Sequence, residues 1–236
     1  MIFTYLLVNL CSVSVPFLYS FHPKLKFNRF FGAFFTATAI SAFSFLVWDA
    51  IFTAMGVWGF NDKYILGIRI FDLPLEEILF FICIPFACVF TYHCINTFYK
   101  ITWKQSIEKP FILFVSLGLL VIGLIHFDKL YTSITFISTA IMLLSFKFLF
   151  KVDWLPKILS VYPLLLIPFF MVNGILTGTG LEEPVVWYND AENLSIRMLT
   201  IPIEDTVYGF ELMILTLFFY EKFKIIFHGK SNSGNE

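Results

Sequence analysis

Long apolar runs separated by short polar loops set the pattern of this chain. Seven can be marked, approximately Ile2–Tyr19, Phe30–Phe52, Leu75–Phe98, Phe111–Phe127, Tyr131–Phe150, Ile158–Leu176 and Ile203–Phe227. Each is about 20 residues long, enough for a helix to span a hydrocarbon core of ~30 Å. The runs are continuous and show no period-2 alternation, which argues for helices over strands. A short turn, His126-Phe-Asp-Lys-Leu130, takes the fourth run into the fifth, so these two form an antiparallel hairpin.

The basic residues test that count. Lys24, Lys26 and Arg29 lie in the first loop, Lys100, Lys104 and Lys109 in the third, and Lys147, Lys151 and Lys157 in or at the edge of the fifth; Lys222, Lys224 and Lys230 lie at or beyond the end of the seventh run. The alternate loops hold only Lys63, Arg69, Lys129 and Arg197. The positive-inside rule then places the N-terminus outside and the C-terminus in the cytoplasm of a multi-pass cell-membrane protein. The first run begins at residue 2 without a basic leader or a small-residue cleavage pattern, as expected of a retained helix.

A motif in the loops occurs twice. Arg69-Ile-Phe-Asp-Leu-Pro74-Leu-Glu76-Glu77 returns 128 residues later as Arg197-Met-Leu-Thr-Ile-Pro202-Ile-Glu204-Asp205. The same register aligns Asn61 with Asn189, Asp62 with Asp190, Leu66 with Leu194 and Ile68 with Ile196. With small shifts Trp58 aligns with Trp187, and the stretch from Asp49 to Gly56 with that from Asn173 to Gly180. The expected architecture is an all-α integral membrane protein with two parallel three-helix repeats, residues 1–98 and 129–228. A linking transmembrane helix over 99–128 joins them, and a disordered cytoplasmic tail follows over 229–236. An odd-numbered unit plus one linking helix restores orientation, so both Pro-x-Glu motifs start their helices on the same, outer side.

Composition agrees. The chain is 58% hydrophobic, 20% aromatic and 14% charged, against about 25% charged in soluble domains. The net charge of -1 and the lack of a basic stripe exclude nucleic acid as a natural partner. Cys11, Cys83, Cys88 and Cys94 fall in apolar segments without metal or redox spacing and read as small core residues. His93 and His126 lack paired ligand spacing, and no dinucleotide fingerprint, phosphate loop or nucleophile elbow occurs, so neither cofactor nor metal is expected.

The repeated motif carries the candidate chemistry. Proline suits the start of a helix, and the carboxyls two and three residues on then lie in the first turn. There the helix dipole and an arginine favour an anion, whereas loss of water and neighbouring carboxyls favour the neutral acid. Adjacent helical residues diverge by about 100°, so Glu76 and Glu77 do not form one facing pair. A Glu76–Glu204 pairing across the pseudo-two-fold axis is geometrically more natural, and two carboxyls in a dry site tend to share a proton. Glu211 lies two turns below Glu204 on the same face, and intramembrane carboxyls are functional candidates. Asp49 and Asn173 end helices two and six at matching places. The plainer reading makes the acids helix caps and loop ion pairs, and Trp58, Phe60, Trp187 and Tyr188 an outer aromatic belt. The sharper one sets those rings beside a carbocation.

Trp58-x-Phe60-Asn61 followed by Pro74-Leu-Glu76-Glu77-Ile-Leu-Phe80-Phe81 resembles the heterodimer-type, non-flavoprotein lycopene cyclase domain, and Trp187-Tyr188-Asn189 with Pro202-Ile-Glu204-Asp205 is similar to its second copy. The resemblance covers nearly the whole chain and implies a fused single-chain form. It implies a carotenoid end-group cyclase of the lycopene β-cyclase type, an intramolecular lyase or isomerase acting on a linear carotenoid without net redox. Its catalytic carboxyls would be Glu76, Glu77, Glu204 and Asp205. Asn61, Asn189, Arg69, Arg197, Trp58, Trp187, Asp49, Asn173 and Glu211 would bind or support. Lycopene, the bilayer and other carotenoid-pathway membrane enzymes are the implied partners. The second copy departs in having Asp205 for Glu77, Gly209 for Phe81 and a five-residue insertion, Leu181–Val185.

Three other plans share the helix count. A SWEET-like transporter has the same 3+1+3 parallel repeats, but it needs a polar midplane, and helices two, three and six are nearly all apolar there. A retinal protein needs a lysine in mid-helix seven, whereas Lys222 and Lys224 lie at its end. A purely structural subunit would tolerate the loss of Glu76.

Overall fold

Every apolar run forms a helix. The computed structural model describes residues 2–229, with seven α-helices: α1 (Thr4–Tyr19), α2 (Phe31–Ala54), α3 (Leu75–Phe98), α4 (Gln105–Ile125), α5 (Leu130–Leu144), α6 (Leu155–Leu176) and α7 (Ile203–Gly229). The tail expected beyond Gly229 lies outside the described residues. In hydrocarbon the backbone has no water to bond, so an apolar run satisfies its own N–H and C=O groups as a helix. Five of the helices are long and apolar enough to cross a membrane, counting α2 from Phe27 and α5 through Leu149. The apolar α1 has 16 residues, a rise of about 24 Å. α7 has 27 and carries Glu204, Asp205 and Glu211. Leu18, Phe43, Phe114 and Ile125 are exposed, while Asp49, Glu76, Glu77, Glu204, Asp205 and Glu211 are buried. That inverts the pattern of a protein in water and suits a lipid solvent. Of the cysteines expected in the core only Cys83 is buried; Cys88 and Cys94 are half-buried and Cys11 is exposed on α1.

The chain forms two compact units that cut across the sequence repeats. One comprises residues 2–55, 60–97 and 212–229; the other comprises residues 56–59 and 98–211. In the first, Phe27 packs edge-on against Phe86 and Phe90, each at 5.6 Å between ring centres, and lies 6.2 Å from Tyr220. Thr216 Oγ1 of α7 donates to Ser41 Oγ of α2 at 2.9 Å, a polar tie between the two helices. His93 Nε2 is hydrogen-bonded to the Leu25 carbonyl at 2.9 Å.

The second unit contains the expected α4–α5 hairpin, turned over residues 126–129 with Lys129 N–H donating to the His126 carbonyl at 3.0 Å. A Cβ on Gly123 would meet Ile137 Cγ1 at 2.8 Å, so glycine there permits the close approach of the two helices. α5 ends in a π turn, Ser145–Leu149, which widens the helix at Lys147.

The loops before α3 and α7 fold alike. Strands β2 (Arg69–Ile70) and β3 (Leu73–Pro74) pair with Arg69 opposite Pro74; β5 (Arg197–Met198) and β6 (Ile201–Pro202) pair with Arg197 opposite Pro202. Each proline ends its hairpin and the helix begins at the next residue, so it stands immediately before the first helical position. The turns demand left-handed backbone, with φ of 51° at Phe71, 64° at Asp72 and 59° at Leu199. Gly67 at 79° and its counterpart Ser195 at 57° share that conformation. Leu75 N–H donates to the Ile68 carbonyl at 2.9 Å and Ile203 N–H to the Ile196 carbonyl at 3.0 Å, which fixes each helix start on its hairpin. A further short pair joins β1 (Trp58–Phe60) to β4 (Val186–Tyr188).

Candidate active site: a buried carboxyl cluster in each unit

In the first unit Glu76 and Glu77 occupy the first turn of α3 and both are buried. Glu76 Oε1 accepts the Leu66 N–H at 2.7 Å, a bond that spans the hairpin and holds the side chain under it. Its other oxygen, Oε2, is buried and has no hydrogen-bond partner among the described residues. Glu77 Oε2 accepts a short hydrogen bond from the Tyr5 hydroxyl of α1. One turn along, Asn9 Nδ2 donates to the Glu76 carbonyl at 2.7 Å.

The second unit repeats this and adds to it. Glu204 Oε1 accepts the Leu194 N–H at 2.7 Å and the Thr132 hydroxyl at 2.6 Å. Its Oε2 is again buried and unpartnered among the described residues. Asp205 accepts from the Tyr131 hydroxyl at 2.6 Å and from the Tyr188 hydroxyl at 2.9 Å. Two turns deeper, Glu211 Oε2 accepts from Ser138 and Thr139, both at 2.9 Å, so α5 hydroxyls meet α7 carboxyls at two levels. Trp58, 5% exposed, lies edge-on to Tyr131 at 5.1 Å, Tyr208 at 6.0 Å and Tyr188 at 6.2 Å. Carboxyls with one oxygen anchored and the other dry and open can give or take a proton. A neighbouring aromatic cluster favours positive charge.

The arginines hold loop carboxylates. Arg69 donates to Asp62 at 2.6 Å and to the Asp72 carbonyl at 2.9 Å. Arg197 donates likewise to Asp190 and to the Thr200 carbonyl. The Arg197 guanidinium holds the exposed Asp190 carboxyl below its ordinary range. Asn61 and Asn189 close Asx turns, accepting from Lys63 N–H at 3.0 Å and Ala191 N–H at 3.1 Å. Asp49 is buried in α2, whereas Asn173 is half-buried in α6 and supplies the carbonyl that Thr177 bonds. Trp58 and Phe60 are buried and so do not form a surface belt; Trp187, 43% exposed, keeps that character. The Trp187 indole covers Gly59 so closely that a Cβ there would lie 2.4 Å from it.

The lycopene cyclase family model matches residues 3–95 and 128–223, the two stretches that carry the duplicated motif. The chain belongs to the lycopene cyclase family. No curated protein and no solved structure matches it. Membership in a lycopene cyclase family supports carotenoid cyclisation by a membrane enzyme and gives the transporter plan no support.

Tyr5, Tyr131, Thr132 and the Leu66 and Leu194 amides are site groups that the sequence pattern does not single out. The signal existed for the tyrosines: Tyr5 and Asn9 begin α1 with the same four-residue spacing as Tyr131 and Thr135 in α5. Those helices lack a Pro-x-Glu motif, so the register of the repeat was never carried back to them. At Gly209, which replaces Phe81, a Cβ would meet Phe169 and the Tyr162 hydroxyl at 3.5 Å, in ordinary contact, so the position accepts a small side chain but has neighbours where a larger one would extend.

Proposed function

We propose that this chain is a lycopene β-cyclase, an intramolecular lyase that converts the linear ψ-ends of lycopene into β-rings. In this reaction an acid protonates the terminal double bond at C2 and leaves a tertiary cation at C1. The electrons of the C5–C6 double bond form the C1–C6 bond, which moves the cation to C5. Loss of the C6 proton restores a C5–C6 double bond. One proton enters and one leaves, so mass and redox state are unchanged and no electron acceptor takes part.

The observation that carries this reading is the duplicated carboxyl. Glu76 and Glu204 each anchor Oε1 on the amide ten residues earlier and keep Oε2 buried without a partner among the described residues. We assign proton exchange with the substrate to these two groups. Glu77 and Asp205, tied by tyrosine hydroxyls, position the site, and Glu211 supports it at greater depth. The rings of Trp58, Tyr131, Tyr188 and Tyr208 stabilise positive charge beside Asp205. Asn61, Asn189, Arg69, Arg197 and Asp190 brace the hairpins that carry Leu66 and Leu194. Seven membrane spans, an outside N-terminus and a cytoplasmic C-terminus complete the proposal, with the carboxyl clusters on the outer side.

The test is expression in a lycopene-accumulating host, with pigments read by chromatography and mass spectrometry. A cyclised carotenoid of unchanged mass is expected from the wild type and is lost in Glu76→Gln and Glu204→Gln. Unchanged lycopene beside well-inserted wild-type protein would reject the assignment of substrate.

A further inference from the structure

The second unit holds a cavity of about 530 Å³ that cyclisation does not use. It is walled by the start of α4, the π turn that ends α5 and the start of α6. Lys109, Lys147, Lys151 and Lys157 line it, against only two carboxylates, Glu108 and Asp153. Lys147 and Glu108 are closed on each other in a largely buried ion pair. The other three lysines make no ion pair among the described residues. The N-terminal ends of α4 and α6 add their positive dipole ends to the same space. An anion entering it would meet unspent positive charge from three directions.

The cavity rim is apolar. Phe148 lines it and is exposed, and Leu149 and Phe150 continue the exposed apolar surface. A free anion has no use for such a rim, whereas a phospholipid places acyl carbon there and phosphate among the lysines. We propose that this cavity binds the phosphate of an anionic phospholipid, held by Lys109, Lys151 and Lys157, with the acyl chains over Phe148. Basic pockets between membrane helices are suited to such headgroups, and each lysine near the phosphate strengthens binding about fivefold.

The test is native mass spectrometry of the delipidated full chain titrated with phosphatidylglycerol and, separately, phosphatidylcholine. Phosphatidylglycerol should bind the wild type more tightly. Lys151→Gln/Lys157→Gln should weaken it about 25-fold, and Lys151→Gln alone about fivefold. Lys24→Gln/Lys26→Gln removes equal charge away from the cavity and should leave binding within about twofold. Equal affinity in both double variants would show that the lysines act only in membrane topology and would overturn the proposal, as would equal affinity of the wild type for the two lipids. Displacement of phosphatidylglycerol by millimolar inorganic phosphate would make free phosphate the ligand and overturn the lipid. The lysines are replaced at exposed or half-exposed positions, and a melting curve without lipid confirms that each variant is folded.

Discussion

Glu204→Gln separates chemistry from scaffolding because of how Glu204 is held. Its Oε1 accepts from the Leu194 N–H at 2.7 Å and the Thr132 hydroxyl at 2.6 Å. Glutamine keeps an oxygen at that place and sets its amide nitrogen where Oε2 stands, so both bonds survive and stability should stay within about 1 kcal/mol of wild type. Alanine would strand both donors at about 1–3 kcal/mol each and open a cavity besides. That loss is a large share of a typical total of about 5–15 kcal/mol, so the alanine variant would report on folding. Only the glutamine variant isolates the proton. Loss of a general acid or base costs about 10²–10⁴-fold in rate. The assay is initial cyclisation rate in membranes, normalised to folded protein, with a thermal melt in detergent alongside. A Glu204→Gln enzyme that melts like the wild type and keeps more than about a tenth of its rate would refute proton transfer by Glu204.

Tyr131→Phe removes one of two hydroxyls on Asp205 while keeping the ring, and should lower stability by about 1–3 kcal/mol; Tyr131→Phe/Tyr188→Phe should lose more, and melts unchanged in both would sink the positioning role. Gly59→Ala drives a methyl to 2.4 Å from the Trp187 indole, at a cost of about 1–3 kcal/mol; adding Trp187→Leu should restore the melting temperature, and no restoration would locate the strain elsewhere. Asp190, held below its ordinary value of 3.8 by Arg197, contributes stability that is present above that value and lost as pH falls through its lowered folded value. Being exposed, the pair is worth at most about 1 kcal/mol. Melts of the wild type and Asp190→Asn should therefore differ by a small constant amount from pH 5 to 7 and converge in stronger acid, and a difference confined to neutral pH would contradict the pairing.

The helices were legible in the sequence because lipid makes burial a matter of composition: an unbroken apolar run has one stable form there. The duplicated motif was legible because Arg, Pro and two adjacent acids recur at the same spacing 128 residues later. The partners of its carboxyls were not. Leu66 and Leu194 act through backbone N–H groups, which no side-chain pattern reveals. Tyr5 and Tyr131 stand at the starts of α1 and α5, helices with no Pro-x-Glu motif of their own to mark them. Trp58 looked interfacial by its loop position, yet it is buried among Tyr131, Tyr188 and Tyr208. The arginines were expected beside the helix-start acids; the carboxylates they hold in salt bridges belong to Asp62 and Asp190.

Comparing the two copies within one chain divides the site by role. Both keep a carboxyl anchored through one oxygen to the amide ten residues earlier. Both keep a tyrosine hydroxyl on the second acid and an Asp–Arg brace seven residues apart. Among the described residues the second copy also has the Thr132 bond, the Tyr188 bond, the hydroxyl-bound Glu211 and the packing of Trp58 against three tyrosine rings. On the proposed chemistry the shared parts move the proton, and the additions stabilise the cation between its arrival and its departure.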